Sequence, residues 1–439
     1  MENELSRQRI PRYLRVYNYY KELILSGKMQ AGAKLPSIRK GAQQLEMSRT
    51  TMEEAYQILA AEGYIEARPK SGYYATNIAM RKMHTIKPQV EKERGNAKIY
   101  DFRTANVDKE SFKFDLWRRY MKSALRQDDR LFSYGEPQGE IEFREVLSEY
   151  LRKNRNVVCS PQQIVVGAGI QSLLHILCPL LKDRKNICFK NQEFQQGKAV
   201  FEDYGFQVIP EIQESGIEYI SPSRMTKYGG VLSVNDRLRV IEEANEKNIL
   251  IIEDDYNNEF SYFQHQISSI QGLTGGQNVV YMGTFSKMLL PSIRMSFMVL
   301  PLDLLEEYER RKHYYNQTAS KAEQIAITQF IRDGHLSSQI RKSRKIHLIK
   351  AMEFKEIVEQ IFPKANSIKI DESGFCVFLD VAIRIDAESL EQKAKGKGVL
   401  VQAFNKEDGI LSVMLQCTNM ANDQNIKGLM VLKECLEEF

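Results

Sequence analysis

Three residue types at fixed places in this chain could together do chemistry that none does alone. Lys287 follows an apolar run, Asn278 to Met282, that predicts a buried strand, and hydroxyls flank it at Thr284 and Ser286. Upstream, a second such run, Ile249-Leu-Ile-Ile-Glu-Asp254, ends in acid and continues Asp255-Tyr256. A lysine amine can condense with an aldehyde and then be displaced by an incoming amine. A carboxylate beside a pyridine nitrogen keeps that nitrogen protonated, because an opposite charge nearby favours the charged form, and a protonated ring is the better electron sink. A phenol can hydrogen-bond the ring oxygen, while a phosphate dianion takes hydroxyls, an arginine and backbone amides at a helix start. Together these are the needs of a pyridoxal 5'-phosphate site. Lys287 is the candidate Schiff-base residue, Asp254 faces the ring nitrogen, Tyr256 the ring oxygen, and Thr284, Ser286 and Arg294 the phosphate.

Order and spacing add a resemblance. Glu253-Asp-Asp-Tyr256, then Gly283-Thr-Phe-Ser-Lys287 with its lysine 33 residues after Asp254, then Leu290-Pro-Ser-Ile-Arg294 look like the cofactor site of fold-type I aminotransferases. They look most like the branch fused to a winged-helix DNA-binding domain, the MocR subfamily of GntR-type bacterial regulators. The resemblance covers nearly the whole chain and implies further pocket residues. Gly169-Ile-Gln171 matches the phosphate loop, with Gln171 in place and Ile170 where a hydroxyl is usual. Phe194 takes the place of the aromatic that stacks on the pyridine ring. Tyr134, in Tyr-Gly-Glu-Pro-Gln-Gly139, matches the tyrosine that relatives lend to the phosphate across a dimer interface. Departures lie on the substrate side. Leu411-Ser-Val-Met-Leu-Gln416 has no arginine where relatives hold a carboxylate, Gln195 and Gln196 follow Phe194, and Arg224-Met-Thr-Lys-Tyr-Gly229 replaces the usual His-Gln-x-Pro before glycine. A carboxylate without a cation loses a charge-assisted pair.

Elements that alternate must position these residues. Strand-like runs at Gln163 to Val166, Asn186 to Phe189, Ile249 to Glu253, Asn278 to Met282 and Met295 to Leu300 are separated by helical segments such as Ile170 to Leu181 and Asn235 to Lys247. Such alternation predicts an α/β fold with a mainly parallel sheet covered on both faces, and ligands at the strand C-terminal ends. The last hundred residues, with a charged helix through Arg341, Arg344 and Lys345 followed by short strands and a terminal helix, suit a smaller α+β subdomain.

The N-terminal stretch has a different character. Residues 1–76 hold 12 Lys and Arg against 8 Asp and Glu, so they carry most of the net charge of +5, as suits a module that neutralises phosphates. Tyr13, Tyr17, Tyr20 and Ile24 recur at helical spacing up to Gly27, and a second helix runs through Leu45. Ser48 can cap a third, with Met52, Ala55, Tyr56 and Leu59 on one stripe. The first turn of that third helix, Arg49-Thr50-Thr51, is the end that enters a major groove. Short strands around Arg68-Pro-Lys-Ser-Gly72, with Lys70 at the tip, read as a basic wing. Leu35-Pro-Ser-Ile-Arg39, Ser48-Arg-Thr-Thr51, Glu62-Gly63-Tyr64 and Ser71-Gly72 resemble the GntR-type winged helix, which implies DNA contacts from Arg39, Ser48, Arg49, Thr51 and Gly72; Glu53 departs, standing where many relatives carry a basic residue.

Six cysteines, at 159, 178, 188, 376, 417 and 435, and six histidines show no paired or metal-ligand spacing, which argues against a disulfide framework or a structural zinc site. The charged N-terminus and the lack of a long apolar run argue against secretion or membrane spanning. The expected organisation is a winged helix-turn-helix at 1–76, a linker at 77–98, and a fold-type I aminotransferase-like domain at 99–439. A cytoplasmic homodimer is expected, reading operator DNA and sensing pyridoxal phosphate or a small amine. A working aminotransferase with a tethering or vestigial DNA-binding head is the alternative.

Overall fold

A computed structural model describes residues 11–77, 99–103, 110–190, 194–212, 214, 216–223, 231–255, 267–371, 374–383, 385–406, 409–416 and 420–438. The chain divides into two compact units, Met1–Asn96 and Ala97–Phe439. In the first, α1 (Arg12–Leu25) buries Val16, Tyr17, Tyr20 and Ile24, the stripe that a helical period makes, with Tyr13 half-buried beside it. Ser37 caps α2 (Ile38–Gln44) and Ser48 caps α3 (Arg49–Ala61), each accepting from a backbone N–H three residues on. Met52, Ala55, Tyr56 and Leu59 of α3 are fully buried. The Tyr56 hydroxyl donates to the Pro36 carbonyl at 3.0 Å and so ties α3 to the entry of α2. Strands β1 (Ile65–Arg68) and β2 (Gly72–Ala75) pair antiparallel around the expected turn.

The second unit opens with β3 (Tyr100–Asp101), α4 (Phe114–Ala124), α5 (Asp128–Leu131) and α6 (Ile141–Arg155). Alternation follows: β4 (Ile164–Gly167), α7 (Ile170–Leu177), β5 (Asn186–Phe189), α8 (Gln195–Asp203), β6 (Gln207–Val208), β7 (Ile217–Ile220), α9 (Val234–Glu246), β8 (Leu250–Asp254), α10 (Ile270–Leu273), β9 (Val279–Thr284) and β10 (Ser296–Val299). The seven strands order as β4-β10-β9-β8-β7-β5-β6. Strand β10 alone runs against its neighbours β4 and β9, and the other recorded pairings are parallel. Alternate side chains feed two cores. Val166, Tyr281 and Phe297 face α4, α6 and α12 (Lys321–Arg332). Val165, Ile252 and Met282 face α7, α8 and α11 (Leu302–Arg311). Strands buried on both faces read as continuous apolar runs, which is why most were legible. Strand β7 was not, because Glu218 interrupts a run of four residues.

Helix α13 (His335–Ile361) leads to a four-stranded antiparallel sheet, β11 (Ser367–Ile370), β12 (Cys376–Ala382), β15 (Ile410–Gln416) and β14 (Gln402–Asn405). With α14 (Ala387–Gly396), β13 (Val399–Leu400) and α15 (Asn422–Glu437) it builds the smaller subdomain around Phe354, Leu379, Leu390, Val413 and Leu432. One expectation is corrected. The subdomain is not made by the last hundred residues alone, since β3 pairs in parallel with β13 and Phe102 is fully buried in the same core. A two-residue strand carries no periodic pattern that would show this.

Candidate functional site

The topology brings one strand end after another to a single edge of the large sheet. Because β4, β5, β7, β8 and β9 share one direction, the residues after their C-termini converge, and the reversed β10 begins at the same edge. Gly169 and Gln171 follow β4, Phe194 follows β5, Asp254 ends β8, Thr284 ends β9, and Arg294 precedes β10. This is the crevice where open α/β sheets bind ligands.

Asp254 is the chemically distinctive member. Its Oδ2 accepts from the Tyr219 hydroxyl at 2.7 Å, while its Oδ1 is buried with no hydrogen-bond partner among the described residues. Burial raises its pKa to about 6, offset in part by the Tyr219 hydrogen bond and reinforced by the nearby Asp255 charge. Alternation along β8 sends Glu253 and Asp255 to the other face. There Asp255 accepts from Arg155 Nε at 2.6 Å and from the Tyr281 hydroxyl at 2.5 Å. Glu253 accepts from the N–H groups of Ile270 and Gln271 at 2.8 and 2.9 Å, and Arg237 lies 3.9 Å away. These ions are almost fully buried. They pin the strand end from behind.

Tyr219 itself lies between two aromatic rings, 5.0 Å from Phe189 and 5.5 Å from Phe194. Phe194 is in turn seated against Gly197, where a Cβ would overlap its ring. The expected aromatic thus stands beside the expected carboxylate, with a tyrosine joining them that sequence reasoning passed over. A tyrosine inside a short apolar run gives no signal beyond ordinary core.

After β9, Phe285, Met288 and Leu289 are buried in the core that faces α6 and α12, which leaves Ser286 and Lys287 half-buried between these anchors. Thr284 Oγ1 donates to Ser286 Oγ at 3.0 Å and accepts from Ser296 Oγ at 3.0 Å. Lys287 Nζ lies over the Phe375 ring, 4.9 Å from its centroid. Arg294, at φ +50°, packs against the start of α7: a Cβ on Gly169 would collide with its guanidinium, and Gly169 has φ +94°. An exposed arginine, a helix N-terminus and paired hydroxyls form a donor set suited to a phosphate dianion. Gln171 is exposed on the first turn of α7. The unpartnered carboxylate oxygen suits a protonated ring nitrogen. The residues present therefore fit pyridoxal phosphate.

Tyr134 was expected to act across a dimer interface, and Tyr256 at the ring oxygen. Tyr134 is fully exposed in the loop between α5 and α6. Tyr256 lies outside the described residues, as do Arg224 and all but the first residue of the 77–98 linker. On the substrate side, Met414 of β15 is buried with Cys376, Phe378 and Phe404. Among the described residues no group of three or more His, Cys, Asp or Glu side chains is placed to hold a metal ion, and no described helix is long and apolar enough to cross a membrane.

In the first unit, Ser48 Oγ accepts from Thr51 N at 3.1 Å and lies 2.8 Å from Thr51 Oγ1. Arg39, Arg49 and Thr50 are exposed with Ser48, and Thr51 is half-buried. Glu53 is exposed one turn after Arg49. At the wing tip, Lys70 and Gly72 adopt φ of +59° and +112°, and Arg68 sits 4.4 Å over the Tyr74 ring.

A winged helix joined to an aminotransferase fold defines a class of DNA-binding transcriptional regulators. The profile of bacterial regulatory proteins of the gntR family matches residues 12–74, and that of aminotransferase class I and II matches residues 102–216 and 219–413. The chain belongs to the gntR family of regulators, in its MocR-type branch carrying an aminotransferase class I and II domain. It is similar to the uncharacterized HTH-type transcriptional regulator YdeL of Bacillus subtilis, at 35% identity over 89% of each chain. It is also similar to the probable rhizopine catabolism regulatory protein MocR of Rhizobium meliloti, at 26% identity over 91% of this chain and 87% of that one. An archaeal alanine:glyoxylate aminotransferase of known structure shares the fold, with TM-score 0.67 at 19% identity over 78% of this chain and 92% of its own.

Proposed function

We propose that this regulator binds pyridoxal phosphate through Lys287 and senses either the cofactor itself, as would suit control of vitamin B6 supply, or a small amino compound that reacts through it. A cytoplasmic homodimer presents two winged helices to operator DNA. The observation that carries the reading is Asp254, a strand-end carboxylate with one oxygen held by Tyr219 and the other buried with no partner among the described residues. A bare buried carboxylate oxygen is costly unless a ligand completes it. Lys287 is the residue to receive the aldehyde, and Arg294, Thr284, Ser286 and the start of α7 hold the phosphate. Phe194 covers the ring, and Asp254 keeps the ring nitrogen protonated. When bound, the cofactor supplies an electrophilic carbon for amines. Sensing is favoured over turnover because Met414 packs in an apolar cluster on the strand where an arginine would hold a substrate carboxylate.

The visible absorbance of the purified chain with added pyridoxal phosphate, measured beside Lys287→Ala, tests this. A band in the wild type that the variant lacks is expected. Its absence from the wild type would leave a DNA-binding protein on an aminotransferase scaffold, and multiple-turnover transamination with any amino donor would make the protein an enzyme instead.

A further inference from the structure

We infer that Tyr219 is the positioning residue that fixes Asp254 for a protonated heteroaromatic nitrogen, so that recognition of the cofactor's ring nitrogen is set by a Tyr219–Asp254 pair. The inference rests on the cofactor reading above and deepens it. Tyr219 is fully buried at 1% exposure. Its neighbours in β7 are Ile217, Glu218 and Ile220, and it stands in register opposite Ile252 of β8, two residues before Asp254. From there the phenol reaches along the strand direction to the carboxylate at the strand end. The buried ring stacks on Phe189, with a 28° angle between rings, and meets Phe194 at 35°, and these contacts hold its orientation. Its hydroxyl spends its one proton on Asp254 Oδ2.

Two consequences follow from that one bond. The carboxylate plane is fixed, which leaves Oδ1 as the oxygen available to a ligand N–H. The carboxylate is also favoured over the carboxylic acid, because a donor to the charged form opposes the burial that drives Asp254 towards neutrality. Without the phenol, Asp254 would lose its donor, rotate, and accept a proton more readily. It would then be a poor partner for a pyridinium. Phe194 touches the same tyrosine, so the ring-stacking side chain and the nitrogen partner are aligned by a single residue.

The test uses the full-length chain and two probes: pyridoxal phosphate, and its carbocyclic analogue in which the ring nitrogen is replaced by carbon. Tyr219→Phe keeps the ring and removes only the hydroxyl. It is expected to weaken pyridoxal phosphate about tenfold and the carbocyclic analogue by less than about twofold, a split that loosened packing would not produce. In an Asp254→Asn background the same substitution should change pyridoxal phosphate affinity by less than about twofold, because the coupled partner is gone. Equal losses for both probes, or an unchanged loss in the Asp254→Asn background, would overturn the inference while leaving the cofactor site standing. Failure of the wild-type chain to bind pyridoxal phosphate would instead overturn the cofactor reading, and this inference with it.

Discussion

Burial makes Asp254 costly to ionise in the folded chain. Burial keeps its pKa at about 6 against an ordinary 3.8, with Tyr219 opposing and Asp255 reinforcing the shift. Because the folded state resists its ionisation, the stability associated with this group is fully present below about pH 3.8 and is lost as pH rises through about 6. Asp254→Asn should therefore stabilise the cofactor-free chain by about 1–3 kcal/mol near pH 8, a gain that shrinks as pH is lowered towards 5, while pyridoxal phosphate affinity falls at least about tenfold. Thermal unfolding at the two pH values, with a cofactor titration, measures both. A variant less stable near pH 8 would mean that the carboxylate is already satisfied. At Gly169 a methyl group would collide with the Arg294 guanidinium at a φ that L residues rarely adopt. Gly169→Ala should thus weaken pyridoxal phosphate more than pyridoxal, because only the phosphate depends on that arginine and helix start; equal losses would remove Arg294 from the phosphate site. That Asp254, Thr284 and Arg294 stand at strand ends on one sheet edge was legible in the sequence, because the apolar runs before them mark the strands. Tyr219 was not, because a tyrosine's partner is decided by the strand register.

Strand β8 shows what alternation does at the scale of an element. Its two terminal acids and Asp255 just after them could all have been solvated, yet of the three only Asp254 faces the crevice. Glu253 and Asp255 face Arg237 and Arg155, which come from α9 and the end of α6. In sequence those arginines look like ordinary polar positions of charged helices. The legible sign was the acid pair itself, since two carboxylates in a buried strand require cations or donors behind them. Removing one member of such a buried pair strands the other. Arg155→Met should cost about 3–5 kcal/mol in urea unfolding, and adding Asp255→Asn should restore part of it; a cost below about 1 kcal/mol would show that the ions do not depend on each other. In the other unit, the spacing of α3 made its core face legible, and the Ser48 cap presents Arg49 and Thr50 outward. Arg49→Ala should relax operator specificity, and Lys70→Ala should weaken all DNA alike and lower the salt slope by about one. Binding titrations at several salt concentrations separate them, and identical profiles for the two variants would remove the distinction between recognition helix and wing.

At the scale of the molecule, the proposed sensing requires Lys287 to report its state to elements beyond the crevice. Its ammonium lies over Phe375, whose ring is 4.6 Å from that of His347 on α13. Helix α13 is 27 residues long. It buries Leu336 and Ile340 in the large core and Ala351, Phe354 and Val358 in the core of the smaller subdomain. His347, between those two anchorages, is placed to change how the subdomains pack when a ligand draws the lysine amine off the Phe375 ring, because a cation over a ring is worth about 0.5–2 kcal/mol. Phe375→Leu should then bind pyridoxal phosphate within about threefold of wild type but lose much of the cofactor's effect on operator affinity. Linkage gives that effect a strict check. If pyridoxal phosphate changes operator affinity by some factor, operator DNA must change pyridoxal phosphate affinity by the same factor, since both are one coupling free energy. Fluorescence anisotropy of labelled operator with and without cofactor gives one side, and cofactor titration with and without operator gives the other. Equal factors, both moved towards one by Phe375→Leu, are expected. A cofactor that binds Lys287 yet leaves operator affinity unchanged would make the site a structural prosthetic one, because a ligand with equal affinity for both states shifts no equilibrium.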